Sequence, residues 1–361
     1  MTMFTRREIA RAAGILAVGA ALPWSDRVVA ASAAPPAPDP LAMVAPELRE
    51  AARQILAIGK QMPPMSANTL PSVRASMARY EKPRLPDVPV KQHRIPVAGA
   101  PDVSVYVVNA QPGVIRPAIL HAHGGGYVTG WAALKVPALQ RLAKDLDCVV
   151  VSVDYRLAPE TTYKGSIEDN YAGLKWMHAH ARELGIDPHR IAIMGESAGG
   201  GHAALLAIAA RDRGEVPVVF QALVYPMLDD RTGSSRTVPP HVGQIGWTAQ
   251  SNRFGWQSFL GQQPGGPNVP AAAVPARTVD LSGLPPAFIG VGSIDLFVDE
   301  DIEYARRLID AGVATELLVV PGAFHGFDSV ADSSLAIQFN AAKRNALRRA
   351  FDTTGQAPTR R

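Results

Sequence analysis

The chain is short of several things that would otherwise define it. Cys148 is the one cysteine in 361 residues, which excludes an intrachain disulfide and a cysteine-built metal site. It sits in the apolar run CVVVSVDY, where a thiol packs as a small hydrophobe and no sequence neighbour would lower its pKa. Charged residues make up only 19% of the chain, and no run of five like charges occurs. A nucleic-acid partner or a charged membrane surface therefore has no electrostatic footprint here. No apolar stretch reaches the ~20 residues that cross a bilayer. The glycine-rich segment GGGYVTG lacks the lysine and spacing of a phosphate-binding loop and is no dinucleotide fingerprint. The pair His121-x-His123 has no third metal ligand at a usable spacing.

What is present is a hydrophobic share of 47%, enough for one large domain or two ordinary ones. Residues 1–33 read as an export signal: the cationic MTMFTRREIAR, the weakly apolar AAGILAVGAALPW and small residues at 31–33. Their four arginines against Glu8 and Asp26 supply half of the formal net charge of +4. Thr5-Arg6-Arg7 resembles a twin-arginine signal, with Ile9 and Ala10 where the usual pattern has Phe and Leu. The expectation is transient engagement of an export machinery, cleavage after Ala33 and a periplasmic or secreted product. The alternative is an amphipathic helix that stays on. Residues 34–40, APPAPDP, read as a linker, and 41–84 as N-terminal helices of a cap.

From residue 85 onward the pattern is that of an α/β core. Seven short apolar runs, VSVYVVNA, PAILHAHG, CVVVSVDY, RIAIMG, VVFQALVYP, PPAFIGVG and ATELLVVPG, alternate with helical segments. Continuous apolar strands separated by helices predict a mainly parallel central sheet with helices on both faces. The clearest helix is SIEDNYAGLKWMHAHARELG, closed by Gly185 and followed by an Asp187-Pro188 turn. Residues 228–280 break the alternation; a structureless loop of that length is unusual in a compact domain, so they are expected to form an inserted helical cap.

Between the run RIAIM and the helical HAALLAIAAR lies Gly195-Glu196-Ser197-Ala198-Gly199, the G-x-S-x-G spacing of a strand-to-helix elbow that presents a serine nucleophile. A serine hydroxyl needs a base. Of nine histidines, His325 follows the last strong strand, at the same carboxyl edge of a parallel sheet as Ser197. His178 and His180 fall on a helix, His93 and His241 adjoin no strand end, and His189 and His202 flank the elbow, where packing explains them. Asp295 follows the run AFIGVG and is the expected partner of His325. Asp299 and Glu300 fall where a helix should start, and capping accounts for them. The segment HAHGGGYVTG offers backbone amides to a developing oxyanion, and the Ala198 amide adds another.

His123-Gly124-Gly125-Gly126, DYRLAPE (154–160), GESAGG (195–200), YPMLDD (225–230), GSIDLFVDE (292–300) and FHGF (324–327) together resemble the bacterial hormone-sensitive-lipase family of serine esterases, over roughly residues 85–350. The resemblance implies an α/β-hydrolase core under a helical cap, and hydrolysis of esters with short to medium acyl groups by Ser197, His325 and Asp295. It also implies an oxyanion hole of the Gly125, Gly126 and Ala198 amides with Gly124 shaping the turn, and a mechanism needing neither metal nor organic cofactor. Many members have Asp where this chain has Glu196. Tyr127, Glu196, Trp247, Phe254 and Trp256 are candidates for touching substrate, with Met62, Met65 and Met77 beside them; cap-to-core packing explains any single cap residue equally well. Asp154 and Arg156 are expected to fix loops. Lactone, carbamate or amide hydrolysis would use the same residues, and a binding protein on this fold is the rival class, set against by the presence of His325.

Overall fold

In the computed structural model, which describes residues 39–354, one eight-stranded sheet carries the site. Its strands are β1 (Val90–Val97), β2 (Ala100–Val108), β3 (Arg116–Ala122), β4 (Val149–Asp154), β5 (Ile186–Glu196), β6 (Phe220–Val224), β7 (Ala287–Gly292) and β8 (Thr315–Val320). They lie in the order β1-β2-β4-β3-β5-β6-β7-β8. Strands β3 to β8 run parallel; β2 pairs antiparallel with β4, and β1 antiparallel with β2, so β2 alone is reversed. The chain thus has the mainly parallel sheet that its alternating pattern implies. The expected export signal and most of the linker lie outside the described residues.

The helices are α1 (Arg49–Gln61), α2 (Leu70–Met77), α3 (Ala132–Leu146), α4 (Tyr163–Ala179), α5 (Ala181–Leu184), α6 (Ala198–Arg213), α7 (Ala249–Leu260), α8 (Val298–Asp310) and α9 (Ser334–Thr354). Side chains alternate across a strand, and β4 shows both results. Val149, Val151 and Val153 pack with residues of α4, α6 and α8, whereas Cys148 and Val150 pack with residues of α3 and α9. Both faces are dry, which is why the strands read as unbroken apolar runs. No helix among the described residues is long and apolar enough to cross a membrane.

Three details differ from expectation. Strand β1, VKQHRIPV, is an edge strand with much of its length exposed, so it carries too many polar residues to announce itself as a core strand. The helix expected to run to Gly185 is broken near His180 into α4 and α5, and β5 begins at Ile186, where the Asp187-Pro188 turn is expected. Of the N-terminal helices assigned to a cap, α2 contributes Leu70 to the cluster with Tyr127, Trp256 and Phe259. Helix α1 instead packs Ala52, and the 3-10 turn before it Leu48, into the α3–α9 side of the core, while Glu47 accepts hydrogen bonds from Ser333 and Ser334. Residues 228–280 contain α7 and two short turns of 3-10 helix, and Trp256 and Phe259 of α7 are buried.

Candidate active site

Ser197 sits where β5 turns into α6, with φ 59° and ψ −124°, a conformation that a residue with a Cβ adopts only under compulsion. The compulsion is visible. Its amide donates to the Val224 carbonyl at 2.9 Å, and its own carbonyl accepts from Gly201 and Met227, each at 3.0 Å. A Cβ on Gly195 would lie 2.1 Å from the Gly199 carbonyl oxygen, and one on Gly199 would lie 2.1 Å from that of Ala122. The G-x-S-x-G spacing is therefore a steric requirement of this turn.

The hydroxyl so presented lies 2.9 Å from His325 Nε2, and His325 Nδ1 lies 2.8 Å from Asp295 Oδ2. Asp295, at the carboxyl end of β7, is fully buried, and its other oxygen accepts the Phe297 amide at 3.0 Å. Because a carboxylate only accepts, Nδ1 carries the imidazole proton and Nε2 is left as the acceptor for the serine hydroxyl. Tyr225 and Phe297 hold the ring, with centroids at 4.6 and 5.3 Å.

Across the cavity stands the glycine segment. His123 Nδ1 donates to the Gly124 carbonyl at 2.9 Å. The Gly125 carbonyl accepts the amides of Val128 and Thr129 and the Thr129 hydroxyl. In a trans peptide the N–H points opposite to the C=O of the same unit, so tying down these two carbonyls turns the Gly125 and Gly126 amides the other way. Gly124, Gly125 and Gly126 line a cavity of about 310 Å³ together with Ser197 and His325. Ala198 opens α6, so its amide has no acceptor within the helix. Gly126 has φ +59°, and a Cβ there would fall 2.1 Å from Trp247 Cη2. Burial lowers His123 to about 3, which keeps its ring neutral.

Glu196 lines the same cavity. Its Oε2 is 3.1 Å from His121 Nε2 and 3.6 Å from Lys135 Nζ, and His121 Nδ1 is 2.9 Å from Ser152 Oγ. Burial pushes the Glu196 carboxyl up, but Lys135 and His121 outweigh it and hold the group well below the usual carboxylate range. Next to the serine there is thus a clamped anion. His121 and His123 commit nitrogens to Ser152, Glu196 and Gly124. Lys135, Ser152 and Tyr225 have no place among the sequence candidates. The signal for Ser152 is sheet register, since His121 and Ser152 are paired positions of β3 and β4.

Of the candidates for touching substrate, the cavity includes Glu196 and Trp247, along with Met77. Tyr127 and Trp256 are corrections. The Tyr127 hydroxyl donates to the Met227 carbonyl at 2.9 Å, and its buried ring stacks on Phe259 at 3.9 Å. Trp256 is fully buried against the same ring, and Phe254 packs at the margin of that cluster. The cause is that α7 turns its aromatic face to the core and leaves the preceding loop, with Trp247, to meet the cavity. Met62 and Met65 do not line it. Asp154 caps α3 by accepting the Ala132 amide, and Arg156 pairs with buried Asp169, so both fix loops. Asp299 is exposed near Arg236, whereas Glu300 is no surface cap: it is buried and accepts the Leu228 and Asp229 amides at 2.6 and 3.1 Å.

Residues 119–329 match the family described as having the alpha/beta hydrolase fold. Carboxylesterase NlhH of Mycobacterium tuberculosis is 36% identical over 273 residues, covering 73% of this chain and 83% of the relative. Esterase LipI of the same organism is 39% identical over 215 residues, covering 58% and 65%. A solved bacterial heroin esterase superposes with a TM-score of 0.78 at 37% identity, covering 87% of this chain and 99% of that one. Esterase LipW from Mycobacterium marinum gives 0.71 at 33% identity, covering 87% and 98%. The chain belongs to the α/β-hydrolase fold family, among its members that resemble hormone-sensitive lipase.

Proposed function

We propose that this protein is a carboxylic ester hydrolase working through a Ser197 acyl-enzyme. One observation carries this: the hydrogen-bonded chain Ser197–His325–Asp295 ends in a cavity that the glycine segment also lines. His325 Nε2 takes the serine proton as Oγ attacks the ester carbonyl, and the Gly125, Gly126 and Ala198 amides receive the negative charge that develops on the carbonyl oxygen. Each such donor is worth roughly 3 kcal/mol of barrier. His325 then protonates the departing alcohol, and water enters to release the acid by the same route. Asp295 stabilises the imidazolium at each stage.

The esterase names of the relatives support ester substrates, and a cavity of about 310 Å³ suits acyl groups of short to medium length. The histidine seated on the serine argues against a purely binding role. Hydrolysis of chromogenic esters from acetate to laurate by the wild type and by Ser197→Ala tests the proposal. A fall of several powers of ten in the variant is expected; equal rates in the two proteins would remove Ser197 from the chemistry. We further propose that residues 1–33 direct export and are cleaved after Ala33, giving a periplasmic or secreted enzyme. N-terminal sequencing of exported protein that still begins at Met1 would overturn this.

A further inference from the structure

A second cavity, of about 460 Å³, lies between α3 and α9 and shares four wall residues with the catalytic one: Lys135, Glu196, Tyr225 and Gly326. The wall is thin. Lys135 and Glu196 meet at 3.6 Å, the Lys135 side chain is 39% exposed, and a Cβ at Gly326 would meet nothing within 4 Å.

The acids around this second cavity are already engaged. Glu196 holds His121 and Lys135, Asp328 accepts the Tyr225 hydroxyl at 2.6 Å, and Asp145 faces Arg344 at 3.6 Å. Lys343 differs. It lines the cavity, is only 7% exposed, and among the described residues has neither a carboxylate at ion-pair distance nor a hydrogen-bond acceptor. Its charge reaches Glu196 only from beyond contact. Arg141 adds a second cation whose guanidinium is bonded to no acid, only to the Pro137 carbonyl. An ammonium with no carboxylate in contact that faces open volume is a place for an anion to settle.

We propose that this second cavity is a subsite for a carboxylate borne by the substrate, with Lys343 as its counter-ion and the Lys135–Glu196 pair as the threshold between the two compartments. The inference rests on ester hydrolysis at Ser197 and sharpens its substrate class to esters that carry a free acid several atoms from the scissile bond. Chemistry at the ester is unchanged; only the far end of the acyl or alcohol portion is held. Lys343 is in this sense a specificity residue and takes no part in bond making.

The test is kcat/KM of the full chain on two series. In one, 4-nitrophenyl hemi-esters of dicarboxylic acids of roughly four to eight carbons are compared with uncharged acyl esters of matched length. In the other, acetate esters of hydroxy acids are compared with acetates of matched neutral alcohols. At least one acid-bearing series should be preferred by about tenfold at some length, the scale of one charge-assisted contact, and the preference should shrink as salt rises. Lys343→Met should lower kcat/KM for the acid-bearing esters about tenfold more than for neutral ones, and Lys343→Arg should keep the preference. Dicarboxylates should also inhibit neutral-ester hydrolysis by the wild type, a measurement independent of any variant's folding. Neutral esters hydrolysed with no preference for the acidic ones in either series would overturn the subsite and leave the hydrolase standing. Hydrolysis of no ester at all would overturn both.

Discussion

Lowering the pH from 7 to 5 should cost this fold several kcal/mol through two histidines that are buried as neutral rings. His202, on α6 beyond the elbow, is 2% exposed and lies with its centroid 4.4 Å from Tyr155 and 5.1 Å from Tyr127; neither ring nitrogen has a partner. His123 stacks on Tyr155 at 4.2 Å and leaves Nε2 unpaired. Burial lowers each from 6.5 to about 3, and the nearby His123 adds to the effect at His202. Between those two values the unfolded chain holds a proton that the native chain does not, so stability falls as pH falls, by about 1.4 kcal/mol per pH unit for each ring. From 6.5 down to 5 that is about 2 kcal/mol per histidine, and about 4 for the pair, against a total of roughly 5–15 kcal/mol for a typical domain. His202→Leu, of comparable bulk and without nitrogens to desolvate, removes one of the two contributions. Urea unfolding of both proteins at pH 7 and pH 5 measures it: the variant should lose about 2 kcal/mol less than the wild type on acidification. Equal losses would mean that His202 is already protonated or solvated in the native state, and the account of this cluster would fail.

Three further outcomes follow from contacts around the site. Gly126→Ala should lower kcat/KM on neutral esters by about a hundredfold, the worth of one misplaced oxyanion donor, because the new methyl group meets Trp247 at a position with φ +59°; Trp247→Leu in the same chain should recover part of the loss, and an unaffected Gly126→Ala enzyme would remove this amide from the chemistry. Burial first, and then the charge of Asp229, raises the Glu300 carboxyl well above its ordinary value. The neutral Glu300→Gln should therefore unfold within about 1 kcal/mol of the wild type, while Glu300→Ala, which strands the Leu228 and Asp229 amides, should cost about 2–3 kcal/mol more; equal damage from both would show that the charge is kept. Trp256→Ala should cost about 3–5 kcal/mol of stability in denaturant titration while leaving KM for short esters within about twofold, since the ring is buried against Tyr127 and Phe259 and not in the cavity; a large KM change with little loss of stability would return Trp256 to the substrate.

In a parallel sheet every strand delivers its carboxyl end to one edge, so residues just beyond different strands become neighbours whatever their separation in sequence. That is why Ser197, Asp295 and His325 could be grouped from strand ends alone: positions 128 and 30 residues apart come within 2.9 and 2.8 Å. The same logic does not reach side chains whose meeting depends on register or on which face of a helix is dry. Strand β1 is hidden by its exposed polar residues. Tyr127 and Trp256 carry the same aromatic character whether they line a pocket or wedge a cap against the core, and only the orientation of α7 separates the two. The group beneath the elbow is hidden more deeply, because it joins β3, β4, the end of β5 and α3. His121 meets Ser152 through the pairing of β3 with β4, its other nitrogen meets Glu196 at the end of β5, and Glu196 in turn meets Lys135 of α3. Glu196 is consequently two things at once. By position it belongs to the serine motif, and by contact it belongs to the wall between the cavities, where its carboxylate joins the brace under the nucleophile to the compartment that Lys343 faces.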